Sequence, residues 1–384
     1  WMLREMKIGD VFAAGQGGDS EGEDGRYYLW SEAEIDAALI GTFSARFKQV
    51  YGVNRDGNYR GKNILRRLGN PAPNGEADEV LLAKQREMLL AARAKRPAPA
   101  RDDTVMTDWN GLAIAALAKA GIVFERPEWI SAAIAAFDGI VALMTVGEYR
   151  LAHSAVNGRT GQPGYANDYA EMARAALQLW EVTGEARFLA AAKGWTATLN
   201  SHFWNTALQG YCVTPDDGGT LIVRPRTIFD QPTPAANGTM LTVLTRLAFL
   251  TGETDYMSRA STLGATFGDE MNRALNQSGT FITGLEYLAA ALMVVIVGHR
   301  NNTRTRDLVR AYWSRPVPNA LLIQLEPGDT LPEGHPAAGK GMEGGLPSAY
   351  VVQQGRITNA ITNPQQLAQG LTMPYQLQQQ QRTA

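Results

Sequence analysis

Three short clusters combine a carboxylate with an amide or an aromatic ring. They are Thr107-Asp108-Trp109-Asn110-Gly111, Asn167-Asp168-Tyr169-Ala170-Glu171, and Asp230 with Pro234-Ala235-Ala236-Asn237-Gly238. Carboxylates gathered at one cleft can give and take protons, and two of them flanking a glycosidic oxygen carry out glycoside hydrolysis. Asp108, Asp168 and Asp230 are therefore the expected catalytic groups. Trp109 offers an aromatic face to the C–H face of a sugar ring, and Asn110, Tyr169 and Asn237 are expected to help orient a substrate. His153 and His202 are the histidines nearest these clusters, and a proton-shuttling epimerase would use such an imidazole. Each cluster also has a purely structural account. Thr107 or Asp108 can cap a helix N-terminus, and Asp168 with Glu171 has capping-box spacing. A buried Asn237 must be hydrogen-bonded, to its own loop or to a ligand. His202 can pack at a helix end.

The elements that carry these clusters are helices. Each cluster stands ahead of an Ala/Leu-rich run with helical spacing, and Pro234 suits a first helical position. An internal repeat follows: an apolar helix ends at Gly121, Gly184 or Gly252, and a second helix opens near Trp129, Phe188 or Tyr256. Glycine suits a helix C-cap. The period of roughly 60–70 residues fits helical hairpins with sizeable loops between them. In the second such loop, residues 210–214 and 220–224 read as a β-hairpin tipped by Asp216-Asp217-Gly218-Gly219. Upstream, the first six residues read as the end of an amphipathic helix and residues 7–28 as a Gly- and acid-rich loop. Tyr27-Tyr28-Leu29-Trp30 reads as a strand, Ser31 with Glu34 as a capping box, residues 41–75 as a connector and 77–95 as a helix. Beyond residue 290, two strands (292–298 and 320–325) flank a helix (303–313). A Gly/Pro-rich loop follows, and the chain closes in a polar, frayed Gln-rich tail.

Composition excludes several classes. The chain has 384 residues, 45% hydrophobic and 19% charged, with a net charge of −2. It has no basic patch of the kind a nucleic-acid binder carries. No uninterrupted apolar run reaches the ~18–20 residues of a membrane span. The single cysteine, Cys212, forms no internal disulfide and reads as a buried, inert thiol. No zinc-ligand spacing, phosphate loop or dinucleotide fingerprint is present, so neither metal nor cofactor is expected. A cytoplasmic setting is expected.

Four stretches together resemble the thioredoxin domain-containing proteins related to spermatogenesis-associated protein: Gly57-Asn58-Tyr59-Arg60-Gly61-Lys62-Asn63-Ile64-Leu65, residues 101–111, Asn167-Asp168-Tyr169-Ala170, and Pro234-Ala235-Ala236-Asn237-Gly238. The resemblance runs from Trp1 to about Leu371. It implies an (α/α)6 toroid similar to the N-acylglucosamine 2-epimerase and six-hairpin glycosidase folds, preceded in the family by a thioredoxin-like domain. On this resemblance, that domain and the toroid's first helices are expected to lie outside the sequence. It has Gly17-Gly18-Asp19 in place of the family's acidic loop, and Val352 and Ile357 where the family often has cysteines.

The combined expectation is an all-α chain: an (α/α)6-type toroid of helical hairpins over residues 1–290, incomplete at its N-terminus. A small α/β appendix and tail occupy 291–384. The expected function is a carbohydrate-active pocket, epimerase/isomerase-like or glycosidase-like, taking a small carbohydrate. The alternative is a non-catalytic accessory domain of a thioredoxin-like protein. No nucleic-acid or membrane partner is expected, and the truncated toroid face is a candidate for self-association.

Overall fold

A computed structural model of the chain describes residues 1–40, 44–69, 75–219 and 221–371. Two compact units form: residues 13–103, and residues 1–12 with those from 104 onward. The division thus falls around 13–103 rather than at 290. The Gln-rich tail lies outside the described residues.

Residues 1–12 contribute a short helix, α1 (Met2–Glu5), and the strand pair Lys7–Ile8 and Val11–Phe12. The unit of residues 13–103 holds α2 (Glu32–Leu39), α3 (Ser44–Tyr51) and α4 (Glu76–Arg93). The capping box of α2 is complete: Ser31 Oγ accepts the Glu34 N–H at 3.2 Å, and Glu34 accepts the Ser31 N–H at 2.7 Å. Ser31→Ala should lower this unit's stability by about 1 kcal/mol in urea unfolding. Helix α3 arises inside the stretch read as a connector, of which residues 41–43 and 70–74 lie outside the described set. Burial of Phe47, Val50 and Tyr51 against Ile35, Leu39, Leu82 and Leu89 holds it, a long-range gain invisible to a short window. Residues 27–30 turn rather than extend, and only Trp30 bridges to Asn63. The Arg96 guanidinium takes the carbonyls of Tyr27 (3.1 Å) and Leu29 (2.7 Å) and lies 4.0 Å over the Trp30 ring. Those carbonyls converge on one cation instead of alternating along a ladder. The acidic loop contains short strand pairs: Gly15–Gln16 with Arg101–Asp102, and Asp19–Ser20 with Glu23–Asp24.

The larger unit is mostly helical and built from hairpins. Helix α5 (Thr107–Val123) pairs with α6 (Pro127–Met144), α7 (Ala166–Thr183) with α8 (Ala186–His202), and α9 (Ala236–Thr251) with α10 (Thr254–Thr266). After α11 (Gly268–Arg273), α12 (Gly279–Ala290) packs on α9. Helices α5, α7, α9 and α12 are consecutive neighbours. Helices α7 and α9 run parallel, because Glu171 meets Thr239 near both starts and Glu181 meets Arg246 near both ends. Close approach at the heads needs glycine: a Cβ on Gly111 would sit 2.9 Å from the Glu171 backbone, and one on Gly238 2.7 Å from Phe281 N. Gly184 and Gly252 end their helices in the left-handed conformation, at φ 74° and 71°. Gly121 does not. Helix α5 continues through Ile122 and Val123, and Gly121 instead lets Ile130 of α6 approach within 2.6 Å of where a Cβ would be.

Other local expectations change as well. Pro234 precedes the N-cap Ala235 of α9 rather than opening the helix. Gly210–Tyr211 pairs with Trp204–Asn205, not with residues 220–224. Trp204 packs edge-on to Tyr211 across that pair, rings 5.0 Å apart, whereas Leu221, Ile222 and Val223 are exposed. Thr220 lies outside the described residues. Helix α6, with a mean hydropathy of 1.4 over 18 residues, is long and apolar enough to cross a membrane by those measures alone. It carries Glu128 and Asp138 and packs on α5.

Residues beyond 290 form a four-stranded mixed sheet. Leu292–Val297 is central, parallel to Ala320–Leu325 and antiparallel to Ser348–Gln353, which pairs with Arg356–Ile357. Val352 faces Ile357 across that last pair. Helix α13 (Thr303–Trp313) links the parallel strands, as such a crossover requires. The central strand is buried throughout. Leu308, Ala311 and Tyr312 of α13 pack with its Leu292, Val294 and Ile296.

Candidate functional site

The heads of α5 and α7 build one polar site. Strand Ser154–Val156 pairs with Val105–Met106, which places His153 beside the start of α5. Asp108 and Asp168 are both buried. Neither Thr107 nor Asp108 is the N-cap, which is Met106. Thr107 Oγ1 donates to the Ala152 carbonyl at 2.7 Å. Asp168 supplies the missing cap from the neighbouring helix by accepting the Asp108 N–H at 3.0 Å. It also accepts the Tyr165 N–H at 2.7 Å and bonds His153 Nδ1 at 2.9 Å. With Nδ1 held, His153 Nε2 is the nitrogen left for other work. Asp108 Oδ1 accepts the Trp109 N–H at 2.9 Å, leaving Oδ2 without a hydrogen-bond partner among the described residues.

Asp108 and His153 line a cavity of about 330 Å³. Tyr165, its ring 4.7 Å from that of His153, forms part of the wall with Asn167. Phe229, Gln231 and Thr233 come from the long loop before α9. Burial and then the charge of Asp168 push Asp108 up to about 6. The hydrogen bond to Asp168 raises His153 above its ordinary 6.5. Burial raises Asp168 too, against the pull of His153 and two backbone N–H groups. Such opposed environments tune an acid and a base to the neutral range.

The other sequence candidates lie elsewhere. Asp230 binds the N–H groups of Ala235 and Thr280, each at 2.9 Å, tying its loop to the starts of α9 and α12. It is not among the residues lining the cavity, and neither is Trp109, which is 40% exposed. Asn110 is buried and clamps Phe12: it accepts that residue's N–H at 2.8 Å and donates to its carbonyl at 3.0 Å. Asn237 clamps Tyr211 in the same way, at 2.8 and 2.9 Å, and also donates to Thr227 O. Tyr169 is buried against Phe203, its hydroxyl accepting the Leu151 N–H at 3.1 Å. The structure thus brings Asp108 and Asp168 together around His153 and gives the amides to the scaffold. Asn237→Ala would strand three backbone groups of a buried turn. It should cost about 2–4 kcal/mol, read as a lowered thermal midpoint with the cavity residues unchanged.

Of the cavity wall from residues 227–235, Ala235 belongs to the Pro234–Gly238 cluster, whereas Thr227, Phe229, Gln231 and Thr233 were not foreseen from sequence, because their part of the loop has no periodicity. His153 was foreseen only by its position near the clusters. Among the described residues, two groups could hold a metal ion: Asp108, His153 and Asp168, and separately His202, Asp216 and Asp217, each with its ligand atoms within 4.8 Å of one another. In the first group, the Asp168 oxygens already accept two backbone N–H groups and the imidazole. Cys212 is free and buried.

No family model matches the chain. It is 28% identical over 347 residues to spermatogenesis-associated protein 20 of Homo sapiens, covering 80% of this chain and 44% of that protein. It is 24% identical over 317 residues to an uncharacterized protein of Caenorhabditis elegans, covering 77% and 42%. The chain therefore spans less than half the length of the curated relatives it matches. Among solved structures, cellobiose 2-epimerase from Bacillus thermoamylovorans aligns with a TM-score of 0.40 at 12% identity over 55% of this chain and 60% of that one. An inactive variant of the α-1,6-mannanase of Salegentibacter sp. aligns with a TM-score of 0.39 at 14% identity over 74% and 75%. Both likenesses are partial.

Proposed function

We propose that the larger unit is an enzyme-like domain that moves a proton on a small, polyhydroxylated carbonyl compound, in the manner of a sugar epimerase or isomerase. The observation that carries this reading is the pairing of Asp108 and His153 in one cavity, with Asp168 behind the imidazole. A buried carboxylate on Nδ1 orients the ring and stabilises its charged form. Because Asp108 loses its proton near pH 6 and His153 keeps its own above 6.5, the dominant state between them is carboxylate and imidazolium. Asp108 is then the base that takes the proton next to the carbonyl, and His153 the acid that returns one. Two-carboxylate hydrolysis is less well supported, because Asp168 and Asp230 are occupied by backbone N–H groups. We also place the hairpins in an (α/α)6-type toroid related to the spermatogenesis-associated proteins, a reading that the parallel run of α7 and α9 favours.

The test is solvent exchange. The protein is incubated in D2O with a panel of aldoses and ketoses, and deuterium at the carbon beside the carbonyl is followed by NMR. The expected result is incorporation from at least one sugar, lost in His153→Gln. A folded chain that exchanges no member of the panel would overturn the proposal.

A further inference from the structure

A second cavity, of about 690 Å³, lies between α8 and the hairpin of Thr145–Gly147 with Arg150–Leu151. Its most unusual feature is Tyr149 in the hairpin's two-residue turn. Its φ is 50°, a left-handed conformation that turns normally give to Gly or Asn and that is uncommon for a bulky ring. The facing helix makes a matching concession. Gly194 sits in the interior of α8, where glycine weakens a helix, and a Cβ there would lie 2.0 Å from the Tyr149 ring. Thr198 Oγ1 lies 3.2 Å from both the Tyr149 and the Gly194 carbonyls, so its one proton is shared between the turn and α8. A ring placed for packing alone would be buried, yet Tyr149 remains 41% exposed and lines the cavity. Strain held in place around an exposed group is a mark of function.

Val146, Leu151, Pro163 and Ala197 give the cavity an apolar wall, and a cluster of polar groups shares it. Arg150 donates to Asp217 Oδ1 at 2.8 Å, and His202 Nδ1 stands 3.1 Å from Asp216 Oδ1 and 3.5 Å from Asp217 Oδ2. Arg150, His202, Asp217 and Ser201 all line it. An aromatic face beside paired donors and acceptors suits a neutral pyranose, which has an apolar C–H face and a rim of hydroxyls. A divalent cation is the poorer fit, because the Arg150 guanidinium already compensates Asp217.

We propose that this groove is a second, non-catalytic binding site for a neutral pyranose, which stacks on Tyr149 and bonds through Arg150, Asp217 and His202. It does not depend on the chemistry at Asp108 and His153. The probes are methyl mannopyranoside and methyl glucopyranoside, which have no free carbonyl and so cannot exchange at the first site. Saturation-transfer NMR and titration should show binding to the whole protein. Tyr149→Ala should weaken it roughly tenfold, while Tyr149→Trp and His153→Gln should retain it. If Tyr149→Ala does not fold, Asp217→Asn, which leaves the ring and its seat intact, should weaken binding in its place. Three results would overturn the proposal: no binding of either glycoside by the wild type, unchanged affinity in the folded variant used, or binding that disappears with EDTA. The last would assign His202, Asp216 and Asp217 to a metal ion.

Discussion

Solvent-exchange rate plotted against pH should be bell-shaped, rising through about pH 6 and falling above 6.5. Burial and the charge of Asp168 set the acid limb by raising Asp108 to about 6. The alkaline limb belongs to His153, raised by its bond to Asp168. Asp108→Asn should abolish the acid limb and His153→Gln the alkaline one, each with a rate loss of about 10²–10⁴-fold. Asp168 does not line the cavity, so Asp168→Asn should act through its neighbours, moving both limbs toward lower pH as well as slowing exchange: the alkaline limb through the imidazole, the acid limb by removing the charge that raises Asp108. The same substitution at Asp108 has a second readout with a fixed sign. A carboxyl whose pKa is higher folded than unfolded binds its proton more tightly when folded, so its ionisation at neutral pH opposes folding. Asp108→Asn should therefore stabilise the unit at pH 7, by about 1–3 kcal/mol. The gain should shrink as pH falls through 6 and be gone by about pH 4. A variant less stable than wild type at pH 7 would count against this electrostatic account.

Glu181→Ala should be the most damaging single change to stability. Glu181 is buried near the end of α7 and holds four partners there. Its carboxylate pairs with Arg246 of α9 at 2.8 Å, accepts the Tyr312 hydroxyl of α13 at 3.2 Å and the N–H of Leu322, in the strand Ala320–Leu325, at 2.9 Å, and bonds Gln178 at 3.3 Å. Removing it leaves the buried Arg246 guanidinium without its counter-charge and Leu322 N–H without an acceptor. A broken buried pair costs about 3–5 kcal/mol. Glu181→Gln keeps the shape and part of the hydrogen bonding and should cost less. Denaturant unfolding of both variants would check the order. Equal loss in the two would mean that the charge itself contributes little. Through Glu181, the residues beyond 290 fold onto the helices as part of one unit.

Much of the scaffold was legible in the sequence. Repeated Gly-ended helices gave α7 to α10 their pairing, because a glycine that takes up positive φ, as Gly184 and Gly252 do, ends its helix. The same inference failed at Gly121, where a neighbouring helix, not a terminus, required the missing Cβ. Short α3 was missed because its stability comes from residues distant in sequence. In the candidate site, Asp108 and Asp168 were visible as polar groups at helix heads, yet so were Asp230, Asn110 and Asn237. All five are polar groups placed near a helix start, and nothing local separates them.

The sequence alone therefore determined most of the helices, the Ser31 N-cap, the Gly184 and Gly252 C-caps, and the end of the helices at which polar groups gather. These depend on residues a few positions apart. Only tertiary structure decided which polar groups are consumed by backbone. It gave Asn110 to Phe12, Asn237 to Tyr211 and Asp230 to two helix starts. It left Asp108 facing a cavity with an imidazole 45 positions away in the chain. The physical reason is that a buried hydrogen-bonding group must be satisfied, and whether its partner is a backbone amide or a substrate depends on which distant segment folds against it.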